Sequence, residues 1–227
     1  MKVYYDIPQG SADWFRLRMG IPTASCFHKI LTPKTRKLSE QWKRYACELI
    51  GERLTNMPTE SLEGQEWMDR GKELEPAAVQ QFEFVNEIQT EKVSFITNDD
   101  GSVGCSPDRV IMSGKDIDKV LEIKCPSLPV HLQRRLFGQD DAYVCQVQGQ
   151  IMLSEVDEAI YYSFHPLGPA YLIRTFRDDE FIKDLDAAVR EFNDRLHELH
   201  LRAISLGDWQ SFKEAVSPPD LAYTDHE

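Results

Sequence analysis

Three charged side chains fall close together in the chain: Asp108 in "CSPDR", and Glu122 and Lys124 in "LEIKC". Two positions apart on an extended segment, Glu122 and Lys124 share one face, while Leu121, Ile123 and Cys125 take the other. The apolar trio suits a core. A carboxylate and an ammonium side by side do not, unless they are solvated or used. The turn signal "SGKDID" between the two segments reads as a hairpin that brings Asp108 beside Glu122 from the neighbouring strand. Two carboxylates a few ångströms apart repel unless a cation lies between them. Hard oxygen donors of this kind suit Mg²⁺ or Mn²⁺, with water and a phosphate completing the shell. A lysine beside such a site can position a water and help to lower its pKa, which phosphodiester hydrolysis requires. Taken alone, an E-x-K triplet is expected about once by chance in a chain of this length, and its ordinary reading is a solvated pair on a strand edge.

The elements that must carry these residues follow from periodicity. "IPTASCFHKIL" reads as the start of a helix, with Thr23 or Ser25 as N-cap and Phe27, Ile30 and Leu31 on one face. Helical patterning resumes at about 39 to 54. A longer helix is expected from Glu63 to Asn86, with Trp67, Gly71, Leu74, Ala78, Phe82 and Val85 as its stripe and Pro76 as a site for a kink. The middle of the chain turns to strands: "KVSFIT", "SVGCSPDRVIM" and "KVLEIKC", separated by turn signals and read as an antiparallel meander. Residues 139 to 154 return to helix, "EAIYYSFH" and "AYLIRTF" read as two strands, and residues 178 to 205 form an amphipathic helix. Such an order gives an α/β or α+β layered domain.

Composition bounds the function. The chain has 227 residues and a formal net charge of −12, which by itself argues against a polyanionic partner. The distribution differs from the total. Residues 14 to 47 carry Arg16, Arg18, Lys29, Lys34, Arg36, Lys37, Lys43 and Arg44 against the single acid Glu40, whereas residues 178 to 227 have thirteen acids and five bases. This segregation is compatible with one basic opening in an acidic exterior, or with an ordinary solvated helix face. The five cysteines are scattered with no C-x-x-C, so neither a disulfide framework nor a zinc or iron–sulfur cage is expected. No H-x-x-x-H, phosphate-binding loop or G-x-S-x-G occurs, and His28, His131, His165, His197 and His200 read mostly as surface residues. No apolar run is long enough to cross a membrane and the N-terminus lacks a signal-peptide layout, so no membrane association and a cytoplasmic location are expected.

The Pro-Asp, the hairpin and the E-x-K together resemble the PD-(D/E)xK nuclease core, in which Asp, Glu and Lys meet at the open end of a small mixed sheet. The resemblance sharpens outside that core. "DWFRLRMGIPTAS" (13 to 25), "RGKELEPAA" (70 to 78), "CSPDR" (105 to 109), "LEIKCP" (121 to 126) and "AYVCQVQGQIM" (142 to 152) occur in the order and spacing of the lambda-type phage exonucleases, a family of viral recombination nucleases. It implies one nuclease domain over residues 1 to 227, with a core at about 10 to 177 and a C-terminal helical segment at about 178 to 215. The expected fold is a central mixed sheet flanked by helices.

Residue by residue, the resemblance implies that Asp108 and Glu122 bind metal, that the Ile123 carbonyl is a further ligand, and that Lys124 is the catalytic lysine. Glu75 is similar to the acid that helps hold a second metal, and Gln146 to the glutamine that orients the nucleophile. Arg18 and Ser25 match residues that bind the 5′-terminal phosphate, with Ser106 as a second hydroxyl donor. The implied cofactor is Mg²⁺, two per site, with Mn²⁺ able to substitute. The implied activity is 5′→3′ digestion of one strand of linear double-stranded DNA, leaving a 3′ overhang. A ring-shaped homotrimer threading DNA, its channel lined by the basic stretch, and a phage single-strand annealing protein as partner are implied as well. The alternatives are another nuclease with this core, such as a resolvase or restriction-type endonuclease, and a non-catalytic DNA-binding protein that keeps the fold.

Overall fold

In this computed structural model residues 1–59, 65–138, 142–207 and 209 are described. The central feature is a four-stranded sheet in the order β6-β7-β8-β9, formed by Arg109–Ser113, Asp116–Lys124, Glu158–His165 and Gly168–Phe176. The hairpins β6-β7 and β8-β9 are antiparallel and the central pair β7-β8 is parallel, so the sheet is mixed, as expected. Parallel neighbours need a crossover. Here it contains two helices, α4 (Leu128–Phe137) and α5 (Ala142–Ser154).

Period-2 alternation divides the sheet between two apolar clusters. Ile111, Leu121, Ile123, Ile160, Tyr162 and Phe164 pack with Ala78 and Phe82 of α3 (Gln65–Asn86). Val110, Val120 and Ala159 face the other way, towards α5, α2 (Trp42–Thr55) and α6 (Asp179–Ser205). Strand β8 is buried along its whole length because both its faces are covered. The expected stripe of α6 faces the core, with Phe181, Leu185, Val189, Phe192 and Leu196 buried, Leu199 partly buried, and the Asp178 carboxylate accepting from the Phe181 N–H at 3.0 Å.

Several expectations are corrected. "SVGCSPDRVIM" is not one strand: β5 (Gly104–Cys105) joins β1 (Lys2–Tyr4) and β4 (Phe95–Thr97) in a separate three-stranded sheet, and β6 begins only at Arg109. Pro107, which lacks an N–H for a ladder, lies in the break, so Asp108 sits on a connecting segment. The expected helix after Pro22 is a short 3₁₀ helix, Ala24–Lys29, followed by the hairpin β2 (Leu31–Thr32) and β3 (Lys37–Leu38). Its N-cap is Thr23, so Ser25 lies inside the first turn. In α3, Val85 is exposed rather than part of the buried stripe. The expected start of this helix at 63 and the Trp67 side chain, like residues 139 to 141, lie outside what is described.

His131 and His165 are buried, not superficial. Burial of His131 is tolerable because both ring nitrogens have partners, Ser163 Oγ at 2.8 Å and the Pro169 carbonyl at 3.2 Å. The cysteines are all free thiols, three of them buried. No helix among the described residues is long and apolar enough to cross a membrane.

Candidate active site

A cavity of about 680 Å³ opens at the C-terminal end of β7. Arg18, Ser25, Glu75, Ser106, Asp108, Glu122, Ile123, Lys124 and Gln146 all line it, so the residues singled out from sequence come together from segments far apart in the chain. Trp14, Arg134, Tyr143 and Gln150, which sequence reasoning did not assign, line it too.

Two structural devices hold the carboxylate wall. The Gln9 side-chain amide donates to the Val93 and Pro107 carbonyls at 2.9 and 3.1 Å, pinning the segment that carries Ser106 and Asp108. Asp108 Oδ2 then accepts from the Ile123 N–H at 2.6 Å. This contact fixes Asp108 against β7 without any ladder pairing at that position.

Glu122 projects from the opposite face of β7 from Ile123 and is only 3% exposed. Its Oε1 accepts from Lys124 Nζ and, at 2.7 Å, from Gln146 Nε2, while Oε2 accepts from Gln150 Nε2, also at 2.7 Å. Gln146 and Gln150 can both reach it because positions i and i+4 share a face of α5. Lys124 Nζ also lies 3.8 Å from Asp108 Oδ2, placing one ammonium between two carboxylates.

The electrostatics follow from this crowding. Burial, then the charge of Glu122, push the Asp108 carboxyl up to about 7, with Glu75 adding to the rise and Lys124 and the Ile123 N–H opposing it. For Lys124, burial disfavours the ammonium, but Glu122 and Asp108 outweigh it and hold its pKa well above the ordinary value. Lys124 therefore stays charged. The wall carries more negative charge than one lysine neutralises, and its donors are hard oxygens of the kind that suit Mg²⁺ or Mn²⁺. Among the described residues no three His, Cys, Asp or Glu side chains are gathered closely enough to form a metal cage. Glu122 has both oxygens engaged by Lys124 and the two glutamines.

The second wall is built on the segment from α1 (Ala12–Arg18) to the 3₁₀ helix. The Arg18 guanidinium stacks over the Trp14 ring at 4.3 Å, and its Nη2 is 3.4 Å from Thr23 Oγ1. Trp14 is anchored in turn by donating from Nε1 to the Ser94 carbonyl at 2.9 Å. Burial lowers the Arg18 pKa, yet a guanidinium starts so high that it remains a cation. Thr23 Oγ1 and Ser25 Oγ lie 3.3 Å apart.

Gly20, at φ +70°, makes the turn between α1 and the 3₁₀ helix, and a side chain there would strike Arg53. Its N–H donates to Glu52 and its carbonyl accepts from Arg53 Nε, tying this wall to α2. An isolated bridge between Thr23 and Gly104, with the Gly104 N–H donating to the Pro22 carbonyl at 3.1 Å, joins it to the segment leading to Asp108. Ser106 Oγ is buried without a protein partner among the described residues, an orphaned polar group of the kind a ligand satisfies.

The basic stretch is more neutralised than its sequence suggests. Lys29 and Arg44 pair with Glu48, Arg36 with Asp184, and Arg16 with Asp13. Of its cations, Arg18 lines the cavity.

Residues 13–157 match the YqaJ-like viral recombinase domain. Comparison with curated proteins by sequence gives no match. Among solved structures, the chain is similar to the alkaline exonuclease LHK-Exo of Laribacter hongkongensis, with 25% identity over 87% of this chain and 100% of that one, at a TM-score of 0.70. The same exonuclease in complex with dAMP gives 26% identity over the same shares of the two chains and a TM-score of 0.72. A phage-related exonuclease from Haemophilus somnus 129PT, at 17% identity over 78% of this chain and 95% of that one, shares the fold at a TM-score of 0.61. A domain match over more than half of the sequence, joined to a cavity lined by Asp, Glu and Lys at the end of a mixed sheet, places the chain in the YqaJ-like viral recombinase family, with the PD-(D/E)xK-type exonuclease fold and a nuclease function.

Proposed function

We propose that this protein is a metal-dependent 5′→3′ exonuclease that digests one strand of linear double-stranded DNA from a 5′-phosphorylated end and leaves a 3′ overhang for recombination by strand annealing. The observation that carries the reading is the shared cavity: Arg18 and the Ser25 hydroxyl on one side, Asp108, Glu122 and Lys124 on the other, and Ser106 two residues before Asp108 on the segment that meets both. An end-dependent hydrolase needs both parts at a fixed separation.

Arg18, held over the Trp14 ring, presents its guanidinium to the terminal phosphate, which it can meet with paired charge-assisted hydrogen bonds. Ser25 and Ser106 add hydroxyl donors. Asp108, Glu122, Glu75 and the Ile123 carbonyl would hold Mg²⁺, or Mn²⁺ in its place. Bound there, two such ions supply Lewis-acid activation of water and neutralise charge on the scissile phosphate. Lys124, beside the carboxylates, is placed to position the attacking water, help to lower its pKa and stabilise charge developing on the phosphate. Gln146, held by Glu122, orients the attacking water.

Assembly as a ring-shaped homotrimer around DNA and hand-over of the overhang to a phage single-strand annealing protein belong to the same reading. A duplex labelled at either the 5′ or the 3′ end of one strand tests the polarity. The 5′ label should appear first as mononucleotide while the 3′ label stays on shortened strands. Early release of the 3′ label would overturn it.

A further inference from the structure

We infer that Gln150 is a positioning residue of this site: its amide nitrogen fixes the second oxygen of Glu122, and with it the orientation of the carboxylate that faces the cavity. The inference rests on the nuclease reading above and extends it to a residue on the far side of Glu122 from Lys124.

Gln150 is 1% exposed and lines the cavity. The Glu122 carboxylate it touches can only accept, so the amide must turn its nitrogen towards Oε2, and this fixes which way the side chain is flipped. Its carbonyl oxygen is then left buried with no protein partner among the described residues. An unmade bond of this sort is normally avoided, because a buried acceptor loses water without replacement. Here it accompanies the hydrogen bond that holds Glu122 Oε2.

The neighbouring glutamines supply an internal contrast. Gln148, also buried on α5, has both ends of its amide used by backbone: Nε2 donates to the Phe176 carbonyl at 2.9 Å, and Oε1 accepts from the Asp178 N–H at 3.1 Å. It ties α5 to the junction of β9 and α6. Gln146 and Gln150 instead grip one carboxylate from both sides. With Lys124 on the same oxygen as Gln146, Gln150 alone among these partners holds Oε2, and with it the rotation of the carboxylate plane.

Replacing Gln150 with leucine keeps the bulk and removes the hydrogen bond to Glu122, and Gln148→Leu is the matched control for stability. On 5′-phosphorylated duplex with Mg²⁺, Gln150→Leu is expected to lower kcat by roughly ten- to a hundredfold, the scale of a hydrogen bond to a charged group. KM should stay within about twofold, since the Arg18 wall is untouched. Mn²⁺ binding to the DNA-free protein, followed by calorimetry, should weaken several-fold in Gln150→Leu and remain unchanged in Gln148→Leu. An unchanged kcat in Gln150→Leu, or a loss matched by Gln148→Leu at equal Mn²⁺ affinity, would overturn the inference. If the wild-type protein releases no nucleotides, the nuclease reading falls separately, and the Mn²⁺ titration then decides: equal affinity in wild type and Gln150→Leu overturns the role given to Gln150.

Discussion

Asp108 is a site where function opposes stability, and the conflict can be measured. Its carboxyl is raised from an ordinary value of 3.8 to about 7 by burial and by the charge of Glu122. A carboxyl whose pKa is higher folded than unfolded binds protons more tightly in the folded state. Between pH 4 and 7 the folded protein therefore takes up protons that the unfolded chain releases, and stability falls as pH rises through that window. With about 1.4 kcal/mol for each pH unit of displacement, the destabilisation relative to a neutral isostere is near zero below pH 4, about 2 kcal/mol at pH 5 and about 4 kcal/mol at pH 8.

Asp108→Asn removes the charge and keeps an oxygen able to accept from the Ile123 N–H. Urea unfolding of the metal-free proteins should show the variant more stable than wild type at pH 8, with a gap that narrows at pH 5. Adding Mg²⁺ at pH 8 should stabilise wild type more than the variant, which has lost one of the carboxylates whose charge Mg²⁺ would neutralise. The variant should release no nucleotides. A variant less stable than wild type at pH 8, or a gap that does not depend on pH, would refute the argument that Asp108 is held in a crowded, charge-excess pocket.

Three further outcomes follow. Arg18→Ala should raise KM for 5′-phosphorylated ends by roughly tenfold or more while leaving 5′-hydroxyl ends unaffected, as read from steady-state digestion of the two substrates. Gly149→Ala would place a methyl 2.5 Å from the buried Phe27 ring and 3.2 Å from Ala24 Cβ; it should destabilise by about 1–3 kcal/mol and, by pushing the 3₁₀ helix away, blunt the preference for a 5′-phosphate. Leu185→Ala, on the buried face of α6, should cost about 2–5 kcal/mol in urea unfolding with little change in the rate per folded molecule.

Much of the site could be read from local pattern because alternation is a local property. Once "VLEIKC" is taken as a strand, Glu122 and Lys124 must share a face, and the turn at Ser113 to Asp116 brings Asp108 near without knowledge of the rest of the fold. The mixed character of the sheet lay beyond period alone, since the parallel register of Glu122 with Tyr161 depends on a crossover. Helix α4 is short and buries only His131, yet Leu128, Leu132 and Leu136 recur every four residues, and Ser127 at the N-cap and Pro129 near the start are ordinary signals of a helix N-terminus, so it was readable in principle. The break at Pro107 was also readable in principle, from the missing N–H. His131 and Gln150 were not. Each is a polar residue whose burial depends on a partner brought from elsewhere in the fold, Ser163 for one and Glu122 for the other. Trp14 could have been singled out as the aromatic one turn before Arg18, but only the cavity gives that spacing a purpose.

The central claim is end-dependent, metal-dependent hydrolysis. Its most direct test is to incubate the protein with linear duplexes bearing a 5′-phosphate or a 5′-hydroxyl, beside a closed circle, in Mg²⁺ and in EDTA, and to count the mononucleotides released. Release is expected from the phosphorylated linear duplex in Mg²⁺, much slower release from the hydroxyl end, and none from the circle or in EDTA. Nicking of the circle, or binding of every substrate without cleavage, would contradict it.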